Sequence, residues 1–94
     1  MITGKTKSGF VFAIEEERFN DFRTLKAIAK ADKGDTYAIL EVVDRILGAK
    51  GTEKLEKHLE TETGRVPVDE FFEAVGEIIE AASEQAKNSL PSPE

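Results

Sequence analysis

The sequence predicts a mainly α domain of about four helices, with a short N-terminal strand or β-hairpin packed against them. Three observations lead there. Val68, Phe71, Phe72, Val75, Ile78, Ile79 and Ala82 recur at steps of three and four, which makes one continuous helical face. Ile39, Leu40, Val42, Val43, Ile46 and Leu47 give a second segment a broad apolar face between Asp35 and Gly48. Phe10, Phe12 and Ile14 fall on alternate positions, a strand signal. Ninety-four residues allow one domain, and 39% hydrophobic residues allow a core, though a small one. Residues 1–88 are read as that single domain and 89–94 as a flexible tail.

Taken in order, Met1 to Thr3 can pair with the Phe10–Ile14 strand across Gly4–Ser8. Helix one is expected from about Glu16 to Ala31, with Phe19, Phe22, Leu25, Ile28 and Ala29 facing inward. Acids at Glu15–Glu17 and cations at Lys30 and Lys33 suit its dipole, and Gly34 ends it. The β-branched run after Asp35 can also be read as a strand, but Asp35 as N-cap and a stop at Gly48 favour a second helix. Helix three is short: Thr52 caps it, Leu55 and Leu59 point inward, and Gly64 closes the segment. Helix four opens near Pro67, a favoured first-turn residue, and runs to about Lys87. Leu90-Pro91-Ser92-Pro93-Glu94 cannot continue a helix. No internal repeat is evident.

Composition narrows the function classes. A net charge of −6 opposes nonspecific nucleic-acid binding and anionic membrane surfaces. With no Trp and one Tyr, platforms for stacking bases are scarce. Without cysteine there is no disulfide framework, thiolate chemistry or Cys-based metal site. No leader-like apolar segment opens the chain and no apolar run reaches spanning length, so a cytoplasmic protein is expected.

Candidate chemistry is thin. His58 lacks the companions that a catalytic or metal role needs. The stretch Leu59–Glu70 imitates an EF-hand loop in its second half, with Gly64 at position six and Glu70 at position twelve. Its first ligand positions, Leu59, Thr61 and Thr63, carry no carboxylate. A degenerate EF-hand-like regulatory module is therefore the alternative reading, testable by calcium calorimetry. No catalytic, cofactor-binding or metal-ligating residue is assigned.

Two charged stripes stand out. Glu70, Glu73, Glu77, Glu80 and Glu84 run along helix four, and Arg23, Lys26, Lys30 and Lys33 along helix one. They are either solvated faces that never meet or surfaces for charge-matched docking, between subunits or onto a partner helix. Each exposed pair adds about 0–1 kcal/mol, so charge sets register and apolar residues must supply affinity. The expected partner-binding residues are Phe71, Phe72 and Ile79 on helix four and Arg23, Lys26 and Lys30 on helix one.

The order of these elements also resembles a family. Gly9-Phe10-Val11-Phe12-Ala13-Ile14 runs straight into Glu15-Glu16-Glu17-Arg18-Phe19-Asn20-Asp21-Phe22. Leu25-Lys26-Ala27-Ile28-Ala29, Ile46-Leu47-Gly48, Leu55-Glu56-Lys57-His58-Leu59 and Gly64-Arg65-Val66-Pro67 follow, with Lys87–Glu94 at the end. Together they resemble the small tail assembly chaperones of long-tailed phages and prophages of Gram-positive bacteria. The resemblance implies a non-enzymatic helical protein of the host cytoplasm, absent from the mature virion. It implies that the chain coats the tape measure protein, keeps it soluble and helps recruit tail tube subunits. A homo-oligomer is expected, as is a frameshifted longer form of the same protein. Ala86-Lys87-Asn88 can be encoded as GCA-AAA-AAC, which contains a heptamer on which a ribosome can slip; other codons there would remove that idea.

Overall fold

The structure is a computed structural model that describes the backbone of residues 1–89 and the side chains of 1–86. Its architecture is the expected one: a two-stranded antiparallel hairpin followed by helices. Strands β1 (Ile2–Lys5) and β2 (Val11–Ile14) pair with Ile2 opposite Ile14 and Gly4 opposite Phe12. Alternation buries Ile2, Phe12 and Ile14 and leaves Thr3, Val11 and Ala13 outside. Gly4 exists for Phe12. A Cβ there would stand 2.6 Å from Phe12 Cζ, in a ring only 4% exposed that has nowhere to go. Gly4→Ala is expected to lower stability by about 1–3 kcal/mol through overpacking, read as a drop in the urea midpoint.

The expected single helix over 16–31 is instead two: α1 (Glu16–Phe19) and α2 (Phe22–Asp32). The break comes from Asn20-Asp21. Asp21 adopts an extended backbone and its carboxylate accepts the Arg23 N–H at 2.8 Å, the geometry of an N-cap. Thr24 turns inward, and its hydroxyl donates to Arg18 O across the break at 3.0 Å. Thr24 and Ala27 are buried, whereas Phe22 and Leu25, expected inside, are exposed. Gly34 does end α2: its N–H donates to Ala31 O and that of Asp35 to Lys30 O, a Schellman pair.

Helix α3 (Ala38–Leu59) contains both expected helices two and three. Asp35 is not its cap; Tyr37 occupies that position with no side-chain bond, and Asp35 O accepts the Ala38 N–H in the preceding turn. Gly48 interrupts α3 with φ 72 and ψ 176, so the expected stop is a kink. The second half resumes at once, without a Thr52 cap. The Thr52 hydroxyl instead donates back to Gly48 O at 2.8 Å.

Helix α4 (Val68–Ser89) follows Pro67 as expected; residues 90–94, and with them most of the expected tail, lie outside the described residues. It buries Phe71, Ala74, Val75, Ile78 and Ala82 against Val42, Val43, Ile46 and Leu55 of α3 and the inner face of the hairpin. Two side chains of α4 also bind the hairpin backbone. The Gln85 amide donates to Thr3 O at 2.7 Å and accepts the Thr3 N–H at 3.3 Å. Glu77 accepts the Lys7 N–H at 2.8 Å. Gln85 thus covers β1 backbone groups that would otherwise invite another strand.

Candidate interaction surface

The kink at Gly48 and the turn at Pro67 leave a space between three pieces of helix. It is an open groove of about 680 Å³. Tyr37 at the start of α3, Leu40 and Val43 in its first half and Thr52 and Glu56 in its second half line it. Val66 before α4 and Val68, Phe71 and Phe72 on α4 complete the lining. Tyr37 is 83% exposed, Leu40 55% and Val68 65%. Scattered single apolar residues on a surface are ordinary. Three large ones around one concavity form a patch of the kind that marks an interaction site.

The expected partner-binding residues are divided by this geometry. Phe71 is a core residue, 9% exposed, that also lines the groove. Phe72 is half-buried and lines the groove. Ile79 is half-buried against the core two turns further along α4, away from the groove lining. Arg23, Lys26 and Lys30 are exposed on α2, around a small hollow shared with Glu41 and Arg45, which bond each other at 2.9 Å. Among the described residues, no ion pair joins the cations of α2 to the acids of α4, so the two stripes do not meet within one chain.

Tyr37, Leu40 and Val68 were missed as surface residues. The signal was in the width of the second apolar face. At 100° per residue, Leu40 and Ile46 cannot face the same neighbour. A helix apolar over so wide an arc must turn part of it away from the core.

The remaining candidates have structural roles. His58 Nε2 bonds Ser8 O at 3.0 Å, and its ring lies 5.5 Å from that of Phe10, pinning late α3 to the hairpin turn. The EF-like loop closes on itself. Thr61 N–H donates to Arg65 O, Gly64 N–H to Thr61 O, and Arg65 N–H to Thr61 Oγ1, while the Thr61 and Thr63 hydroxyls bond each other. Among the described residues, no three acidic or histidine side chains gather as a metal site. The hairpin turn Thr6–Phe10 makes the same set of bonds, with Ser8 in the place of Thr63. Thr-Lys-Ser-Gly and Thr-Glu-Thr-Gly are thus one turn used twice, a short repeat visible in the sequence once its chemistry is known. Gly9 and Gly64 both take positive φ, which is why glycine stands there.

Comparisons with protein-family models, with curated proteins and with solved structures gave no match. Among the described residues, no helix is long and apolar enough to cross a membrane.

Proposed function

We propose that the chain is a non-catalytic tail assembly chaperone whose groove receives an amphipathic helix of the tape measure protein. The observation that carries this reading is the cluster of Tyr37, Leu40 and Val68, each more than half exposed, around a trough that Phe72 lines. A pocket for a small apolar ligand encloses most of its guest. Here the lips stand open, which suits a rod lying across them, with anchors at helical spacing entering between. A tape measure protein is long, helical and prone to aggregate before it is enclosed. Covering it calls for many modest sites along one polymer, where avidity replaces tight individual binding. The charge of −6 keeps the coated polymer in solution. The resemblance set out above supplies the identity of the client, and extends the partners to tail tube subunits and a longer frameshifted form.

The test is co-expression with fragments of a candidate tape measure protein. The wild-type chain is expected to raise the soluble yield of at least one fragment several-fold. Leu40→Asp places a carboxylate on the open lip, where it does not disturb the core, and is expected to return the yield to that of the fragment alone. Equal rescue by the variant, or none by the wild type, removes this reading.

A further inference from the structure

We infer that α2 is a second docking surface, separate from the groove, and that it takes an acidic amphipathic helix of a different protein. This docking stands on α2 and the hollow beside it, and does not depend on the client assigned to the groove.

Helix α2 is apolar on a face that its own fold does not use. It buries Thr24 and Ala27 and half-buries Ile28 and Ala31. Phe22 is 73% exposed and Leu25 59%, and the exposed Ala29 continues their line at steps of three and four. Two large apolar side chains adjacent on one short helix form a patch, unlike scattered single residues.

Cations border that line on one side. Arg23, Lys26 and Lys30 follow the same steps, and with Arg45 of α3 they surround a hollow of about 280 Å³. Its one carboxylate, Glu41, is already bonded by Arg45 at 2.9 Å. In a chain of net charge −6 this is a local reversal of sign. The Lys26 ammonium sits 5.8 Å from the centre of the Phe22 ring, so positive charge and apolar surface are continuous. The other side of the line carries Asp32, two turns beyond Leu25.

This one-sided pattern selects the occupant. A helix lying along α2 can meet Phe22 and Leu25 with apolar anchors and the three cations with carboxylates at matching steps. The anchors then supply affinity and the charges set orientation. A flat anionic membrane suits the face less, because the cations ring a concave hollow between two helices and the chain as a whole is acidic. A second copy of this chain suits it less too. Its acidic helix α4 keeps Phe71, Ala74, Val75, Ile78 and Ala82 in its own core, and from Glu70 to Glu84 no large apolar residue is exposed to rest on Phe22 and Leu25. The hollow and the groove share no lining residue, so both surfaces can be filled at once.

The probe is a synthetic, fluorescein-labelled helical peptide of about 20 residues, enough to hold a helix along the 11 residues of α2. It carries Leu at steps of three and four and Glu along one edge, and its control has Gln for every Glu. Three or four exposed charge pairs together are worth about tenfold, so the acidic peptide is expected to bind the full chain about tenfold more tightly than the control and to lose that margin in high salt. Leu25→Glu, at an exposed position, is expected to remove binding with helical circular dichroism unchanged. Arg23→Glu should erase the preference for the acidic peptide. Leu40→Asp, in the groove, should change neither affinity, so client rescue and peptide binding fail separately. No binding, equal binding of the two peptides, or binding that survives Leu25→Glu or is lost in Leu40→Asp overturns the inference. Binding of the wild type to phosphatidylserine vesicles that Leu25→Glu removes overturns it in favour of a membrane. A wild type that sediments as an oligomer which Leu25→Glu dissociates overturns it in favour of another copy.

Discussion

Gly48→Val is expected to destabilise the protein by about 3 kcal/mol, the upper end for a residue forced into a rare backbone region. At φ 72 and ψ 176, Gly48 lies outside even the left-handed helical basin, in territory essentially reserved for glycine. A Cβ there would also stand 2.9 Å from Arg18 Nη1. That contact is the minor part: the Arg18 side chain is half exposed and its end can swing away. Backbone strain is what the variant cannot escape. It would be relieved only by straightening α3 into one rod, and that would pull Leu55 out of a core in which it is fully buried. Gly76→Ala is the control. It lies within α4 with nothing inside 4 Å of its new methyl, so a gain of about 0.5–1 kcal/mol is expected from helix propensity. Urea melts of the two should move in opposite directions. Gly48→Val should also lose client rescue although every groove side chain is intact, because the kink sets Thr52 and Glu56 against Leu40.

How much of this was legible in the sequence depends on whether one residue or a combination decided the outcome. Alternation at Phe12 and Ile14, the period of Val75, Ile78 and Ala82, and the glycines at 34 and 48 each act locally, and each did what its chemistry implies. The errors came where two local signals competed. Asn20-Asp21 lies inside the expected helix one, yet Asp21 acts as a cap for a new helix, and in that helix Phe22 and Leu25 face outward. Asp35 reads as a cap for α3, but its N–H already serves the end of α2, and the chain then makes a further turn before Ala38. The groove was illegible for another reason. It is built from residues on α3 and α4 whose individual patterns mark them only as apolar, and its existence depends on where the Gly48 kink sends the chain. The Gln85 clamp on Thr3 spans 82 residues and no spacing rule anticipates it.

The adjacent pair Phe71 and Phe72 separates folding from binding in a single experiment. The sequence gives them equal standing on the same helical stripe. In the fold they diverge, since Phe71 points into the core at 9% exposure and Phe72 lies 100° around the helix, half-buried in the groove wall. Phe71→Ala is expected to cost about 3–5 kcal/mol, the loss of a buried aromatic plus the cavity it leaves between α3 and α4. For a domain of this size that approaches the whole of its stability, so the variant should be largely unfolded or rescued only at low temperature. Phe72→Asp should cost about 1–2 kcal/mol, because only part of its ring area is removed from water and the new carboxylate reaches solvent through the open trough. The folded fraction therefore survives. Its soluble yield with a tape measure fragment should nonetheless fall to that of the fragment alone. Urea midpoint and client solubility, measured on both variants, place each residue. A Phe72→Asp protein that folds and still rescues the client would remove Phe72 from the binding surface. A Phe71→Ala protein as stable as the wild type would contradict the packing of α4 on which the groove depends.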